Sequence, residues 1–269
     1  MRRNLVVGGV LTGGMGGMAL LSLVWTPYSP IAMDFLHKLA PPSLAHPMGT
    51  DPFGRDMLSM IMAGASATLA VALIAVTLGA VIGVPLGALA AGRGGWVDAL
   101  SMRTADLVFA FPALLTAVMI TALAGPGAAN AMLAIGIFNI PVFARVTRGA
   151  VLQTRELDYV QAARAVGRGE IGVMLRHVLP NIVAVLVVQA TIQFALAIIA
   201  DAGLAYVGLG TQPPFPSWGR MLNDAQTFIY RAPLLAVFPG AAITLAVLGL
   251  NLLGDGLRDV LDPRLKRRR

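Results

Sequence analysis

Three histidines, His37, His46 and His177, are the side chains of this sequence best suited to acid–base or metal chemistry. No two of them stand at a metal-ligand spacing, and H-E-x-x-H does not occur. The nucleophile motif G-x-S-x-G and the phosphate loop G-x-x-x-x-G-K-[ST] are also missing. Cysteine is absent, which excludes disulfides, cysteine-based zinc sites, iron–sulfur clusters and thiol nucleophiles. Neither a catalytic constellation nor a metal site is expected. The remaining candidates are polar groups within apolar stretches: Asp106, Asn139, Gln189, Gln193 and Asp201. A carboxylate at mid-membrane costs about 2.5–3.5 kcal/mol on insertion scales, and less near a helix end. Such groups line an aqueous path, hydrogen-bond between helices, or reach the interface. Gln189 and Gln193 are one turn apart, about 40° around an ideal helix, whereas Asp201 is about 120° from Gln189.

These groups must be positioned by membrane helices. Of 269 residues, 57% are hydrophobic and 12% charged, about half the charged share of a soluble domain. A helix crosses the hydrocarbon core with roughly 20 apolar residues. Six stretches reach or approach that length: 5–25, 67–91, 105–124, 130–146, 182–205 and 233–253. Pro112 falls in the third and Pro141 in the fourth, tolerable where neighbouring helices satisfy the freed carbonyls. The alternation of a membrane β-strand is not visible. The expected fold is an all-α membrane protein of six transmembrane helices.

Positive charge sets the expected orientation. With the N-terminus cytoplasmic, sixteen of the 20 basic residues lie inside: Arg2, Arg3, Arg93, Arg103, Arg145, Arg148, Arg155, Arg164, Arg168, Arg176, Arg258, Arg264, Lys266, Arg267, Arg268 and Arg269. Only Lys38, Arg55, Arg220 and Arg231 lie outside, as the positive-inside rule requires. Both termini are then cytoplasmic. The net charge of +7 follows from topology and does not indicate nucleic acid. The first apolar stretch lacks an A-x-A cleavage pattern and reads as an uncleaved anchor. The proline-rich segment 26–66 behind it, with "HPMGTDPFGRD", is too polar to insert and is expected to form turns and a surface helix.

Small residues recur every four positions at Gly9, Gly13 and Gly17, and again at Gly79, Gly83 and Gly87, continued by Ala91 and Gly95. Such rows let another backbone approach closely, within one bundle or against a second membrane subunit.

Residues 147–181 form the one long polar strip on the inside. Thr154 is a candidate N-cap, and Glu156 and Asp158 favour a first helical turn. Tyr159, Ala162, Ala163 and Val166 share one helix face; Asp158, Gln161, Arg164 and Arg168 gather on another. Gly167 and Gly169 stop the helix. A second short helix is expected at 170–178, ending before Pro180. The face with two alanines and a tyrosine suits a groove on a partner; an arginine-rich surface helix on the bilayer is the alternative.

"QAARAVGRGEIGVMLRHVLP" resembles the E-A-A-x(3)-G-x(9)-I-x-L-P signature of the membrane subunits of bacterial ABC importers. Ala162, Ala163, Gly167, Leu179 and Pro180 match, while Gln161 stands for the Glu and His177 for the Ile. "HPMGTDPFGRDMLS", "LGTQPPFPSWGRML" and "NLLGDGLRDVLDPRLK" resemble the dipeptide, oligopeptide and nickel branch of these permeases. The resemblance implies the type I transmembrane-domain fold. It implies an anchor and periplasmic segment at 1–66, a permease core at 67–256 with coupling loop 147–181, and a basic tail at 257–269. It also implies a 154–167 coupling helix seated on an ATPase, with Asp158, Tyr159, Gln161, Ala162, Ala163, Arg164, Gly167 and Pro180 as coupling residues. The implied partners are a second homologous permease, two cytoplasmic ATPase subunits that bind ATP and Mg, and a periplasmic or lipid-anchored substrate-binding protein. This chain itself needs no cofactor. An ion-coupled secondary transporter is the competing reading; it calls for repeats and midplane ionisable groups.

Overall fold

The computed structural model describes residues 2–261, and these hold ten α-helices and no β-strand. They are α1 (Arg2–Ser22), α2 (Met57–Arg93), α3 (Gly95–Phe109), α4 (Ala113–Ala124), α5 (Ala128–Arg155), α6 (Asp158–Ala165), α7 (Glu170–Val173), α8 (Leu179–Tyr206), α9 (Trp218–Ala225) and α10 (Leu234–Leu261). Five helical stretches are long and apolar enough to span a membrane, and the bent pair α3 with α4 makes a sixth if the two together cross it. The basic tail residues 262–269 lie outside the described residues.

Two expected spans differ. The third is not one helix over 105–124: α3 ends at Phe109, α4 starts at Ala113, and the two are bent by 83°. The cause is Pro112. It disfavours helical backbone at Phe111 and takes the N-cap position of α4 with extended geometry (φ −59°, ψ 129°). The fourth is longer than 130–146, because α5 carries Pro141 in its interior and runs on to Arg155. Arg148 thus joins Arg145 on a helix rather than lying in a loop. Both form ion pairs with α3, Arg148 with Asp98 (2.6 Å) and Arg145 with Asp106.

The core is built on α2, which packs most extensively against α5. The reason is the row Gly79, Gly83, Gly87. A Cβ at these positions would fall into Asn139, the Ile140 carbonyl and the Ala144 carbonyl of α5. This second row therefore serves packing within the chain. The first does not: a Cβ added at Gly9, Gly13 or Gly17 would meet no other part of the described residues within 4 Å. Helix α1 docks on α10 through another set, with Gly8 against Leu253, and Gly249 and Gly256 of α10 against Leu11 and Leu5. These contacts bring the two described chain ends to the same end of the bundle.

The opposite end is capped by "HPMGTDPFGRD". Asp56 N-caps α2, accepting from the Ser59 N–H (2.8 Å), while His46 Nδ1 lies 2.9 Å from its other oxygen. Asp51 accepts from the Phe53 and Arg55 N–H groups (2.9 and 2.8 Å) and pairs with the Arg55 guanidinium. A 3₁₀ turn, Phe35–His37, takes the place of the expected surface helix. Helix α9 locks onto this end through Trp218, fully buried, whose Nε1–H donates to the Ile61 carbonyl (3.0 Å).

The two glycine rows give a contrast. Gly83→Leu forces α2 and α5 apart and is expected to cost about 1–3 kcal/mol or more as overpacking. Gly13→Leu meets open space and is expected to be neutral. Thermal unfolding of the detergent-solubilised protein checks both.

Candidate functional site

Two features stand out: an elbow joining α5 to α8, and a pocket between α4, α5 and α8.

The elbow begins where α5 ends, at Arg155. Thr154 does not cap the next helix; its hydroxyl donates back to the Ala150 carbonyl (2.9 Å). Helix α6 therefore starts later than the expected 154–167, with Leu157 at the N-cap and Asp158 in the first turn. It stops at Gly167 as expected, by a Schellman pair of bonds. The Gly167 N–H reaches the Arg164 carbonyl (2.8 Å) and the Arg168 N–H the Ala163 carbonyl (3.2 Å). Gly167 holds φ +88°, where a side chain is strained.

The faces of α6 divide differently from the expected pattern. Val160 is its anchor, fully buried among Ala91, Val151, Val173, Val178 and Ile182. Ala163 packs against the same cluster, while Tyr159, Ala162 and Val166 (87% exposed) face outward. Ile171 and Leu175, also exposed, extend the apolar surface. The expected separate helix at 170–178 is instead continuous with α8. A π turn over Met174–Val178 bridges α7 and α8, with the Leu179 N–H bonded to the Met174 carbonyl. The wider turn lets the helix pass Pro180, which has no N–H to give. Asn181 Nδ2 caps the His177 carbonyl (2.7 Å), and the Tyr159 hydroxyl lies 3.4 Å from the same oxygen.

Arg155 ties the elbow to the core, a role the residue order does not suggest. Its guanidinium donates to the Ala91 carbonyl and to the Gly92 carbonyl (3.1 Å), filling acceptors left open at the end of α2. It also lies 3.4 Å from Glu170 at the start of α7, and Glu170 pairs with Arg164 of α6 (3.0 Å). Gln161 donates its side-chain N–H to the Arg155 carbonyl (2.9 Å). A glutamate at 161 has no hydrogen to offer that oxygen once ionised.

The pocket has a volume of about 230 Å³ and is lined mainly by apolar side chains, among them Leu114, Ala117, Phe138 and Leu196. Its polar residues are Asn139 of α5 and Gln193 of α8, both buried. Gln193 Nε2 donates to Asn139 Oδ1 at 2.6 Å. Asn139 Nδ2 has no partner among the described residues. An unpaired buried donor costs about 1–3 kcal/mol.

The other predicted path residues lie elsewhere. Gln189 is half-buried and is not part of the pocket lining. Asp106 pairs with Arg145, which also stacks on Phe109 (4.4 Å to the ring centre). Asp201 is fully buried on the α2 side of α8, with the Thr68 side chain beside its carboxylate.

A bundle of spanning helices, closed by a loop cap at one end and carrying a jointed helical elbow at the other, is the architecture of a multi-pass membrane protein. Residues 83–267 match the family described as binding-protein-dependent transport system inner membrane component, and the chain belongs to that family. The glutathione transport system permease protein GsiD of Pectobacterium atrosepticum is 46% identical over 84% of this chain and 75% of its own length. The dipeptide transport system permease protein DppC of Alkalihalophilus pseudofirmus is 41% identical over 97% of this chain and 86% of its own. The fold is shared with the MetNI methionine ABC transporter in an inward-facing conformation. That likeness has a TM-score of 0.61 and 23% identity, over 77% of this chain and 98% of the other. These findings favour the ABC importer over the ion-coupled secondary transporter.

Replacing Arg155 tests the tie. Arg155→Leu strands the carbonyls at the end of α2 and is expected to destabilise the protein by about 1.5–3 kcal/mol, the range for hydrogen bonds to charged groups. Arg155→Lys should recover only part of that, because an ammonium lacks the planar fork. Unfolding midpoints in detergent separate the three forms.

Proposed function

We propose that this chain is one of two membrane subunits of an ATP-driven importer of dipeptides, oligopeptides or related peptide-like solutes. The second homologous permease completes the translocation path. Two cytoplasmic ATPase subunits hold ATP and Mg, and a periplasmic or lipid-anchored binding protein delivers the solute. The chain itself performs no catalysis and sits in the bacterial inner membrane with both termini and the elbow in the cytoplasm, the orientation its basic residues favour.

The observation that carries this reading is the outward face of α6. Val160 fastens the helix to the bundle, while Tyr159, Ala162 and Val166 present a small apolar surface. That surface is flanked by Asp158, Gln161 and Arg164 and closed by Gly167. An ATPase cleft closing on ATP would move this surface as a unit. The core would then rock between inward- and outward-open states, a rigid-body switch. Pro180 sets the point where the elbow meets α8. Relatives named for glutathione and for dipeptides support a peptide-like solute. Asn139 and Gln193 are the path residues best supported, while Asp106 is engaged by Arg145.

Two measurements test the reading. An ATPase is expected to co-purify with this chain from native membranes; a chain that transports alone refutes it. In reconstituted vesicles, Gly167→Val and Ala162→Leu, the latter on the exposed face, are expected to retain the folded bundle. Uptake should fall at least about tenfold, since a β-branched residue is an outlier at positive φ and the enlarged face no longer fits its cleft. Wild-type uptake in both would remove α6 from the coupling role.

A further inference from the structure

We infer that the pocket between α4, α5 and α8 is a subsite of the translocation path. It takes one uncharged, apolar side chain of a peptide together with the neighbouring peptide carbonyl. The inference rests on the importer reading and adds which part of the solute this subunit touches.

Size is the first argument. At about 230 Å³ the pocket falls below the roughly 300–1,000 Å³ that whole small-molecule ligands occupy. It suits a fragment of a solute. Chemistry is the second. Among the described residues none of the lining is ionisable: the walls are aliphatic and aromatic, with Leu114, Ala117, Phe138 and Leu196 prominent, and the only polar groups are two amides. A free metal cation finds no carboxylate or imidazole there, and a charged side chain finds no counter-charge.

The amides supply the third argument. Gln193 and Asn139 satisfy one another through a single bond of 2.6 Å, and this leaves the Asn139 Nδ2 hydrogens without an acceptor. A lipid tail or a wholly apolar partner surface would leave that donor unpaired. A peptide carbonyl provides the missing acceptor, and the side chain beside it fills the apolar walls. Position is the fourth. The pocket is walled by α5 and α8, the two helices that the elbow joins. Movement at α6 reaches the sides of the pocket through these two helices.

The test uses the complete transporter in proteoliposomes, with its ATPases, second permease and binding protein, at saturating solute. The probes are labelled Gly-Gly and Leu-Leu. Ala200→Phe narrows the pocket from a half-buried wall position, and Leu114→Trp does so from its exposed rim. Both are expected to lower Leu-Leu uptake about tenfold or more, the scale on which pockets discriminate by methylenes, while Gly-Gly stays within about twofold. Asn139→Leu removes the donor and should lower uptake of both peptides by about two- to tenfold, the range for one neutral hydrogen bond. Pocket-filling variants that carry both peptides at wild-type ratio would overturn the subsite and leave the importer intact. A wild-type transporter that carries no peptide would overturn the peptide reading, and the subsite with it. Should Asn139→Leu not assemble, the Leu114→Trp ratio decides, because that residue lies at the pocket's exposed rim and outside the α2–α5 seam.

Discussion

Backbone-to-backbone contact between α2 and α5 is the constraint on which the rest of this molecule depends. Three glycines one turn apart let the helices touch along Asn139, Ile140 and Ala144. In hydrocarbon the hydrophobic effect does not push helices together, so close van der Waals approach has to. The same contact carries Asn139 to its place beside Gln193 and sets where α5 ends, close enough for Arg155 to reach the last carbonyls of α2. Pocket and elbow both inherit their positions from this one packed seam.

Polar groups are distributed with the same economy. At the elbow, Arg155, Arg164 and Glu170 join the ends of four helices, and Gln161 fills a carbonyl that a carboxylate would repel. At the capped end, Asp51 and Asp56 accept backbone N–H groups and hold the loop on α2. Asp224 bridges Arg220 and lies near Arg55; burial pushes its carboxyl above the ordinary range, against the pull of both arginines. The middle of the bundle keeps mostly amides and hydroxyls, the groups least costly to bury when paired.

Much of this was legible in the residue order, and for clear reasons. Apolar length marks the spans, and arginine placement marks the polar strip. Gly167 reads as a stop because few other residues tolerate its backbone. What escaped depends on distant partners. Val160 looks like any helical valine until Ala91 and Val178 close around it. Arg155 is one arginine among six until α2, distant in sequence, presents its carbonyls. Pro112 and Pro141 both lie in apolar runs, yet one breaks a helix and the other is absorbed, because α5 is clasped along its length by α2 and α3–α4 is not. The Asn139–Gln193 pair joins residues on two helices, and helical periodicity within either one cannot reveal it.

The two arms of the elbow are unequal. On one side Glu156 and Leu157 interrupt the helix between α5 and α6; on the other, α7, the π turn and α8 run on without a break. A load applied to α6 therefore meets a loose joint toward α5 and a stiff rod toward α8. Under the proposed coupling, the elbow acts as a crank with α8 as its shaft. The π turn, holding an extra residue at the base of that shaft, is the place where torque would be absorbed or released as the helix twists.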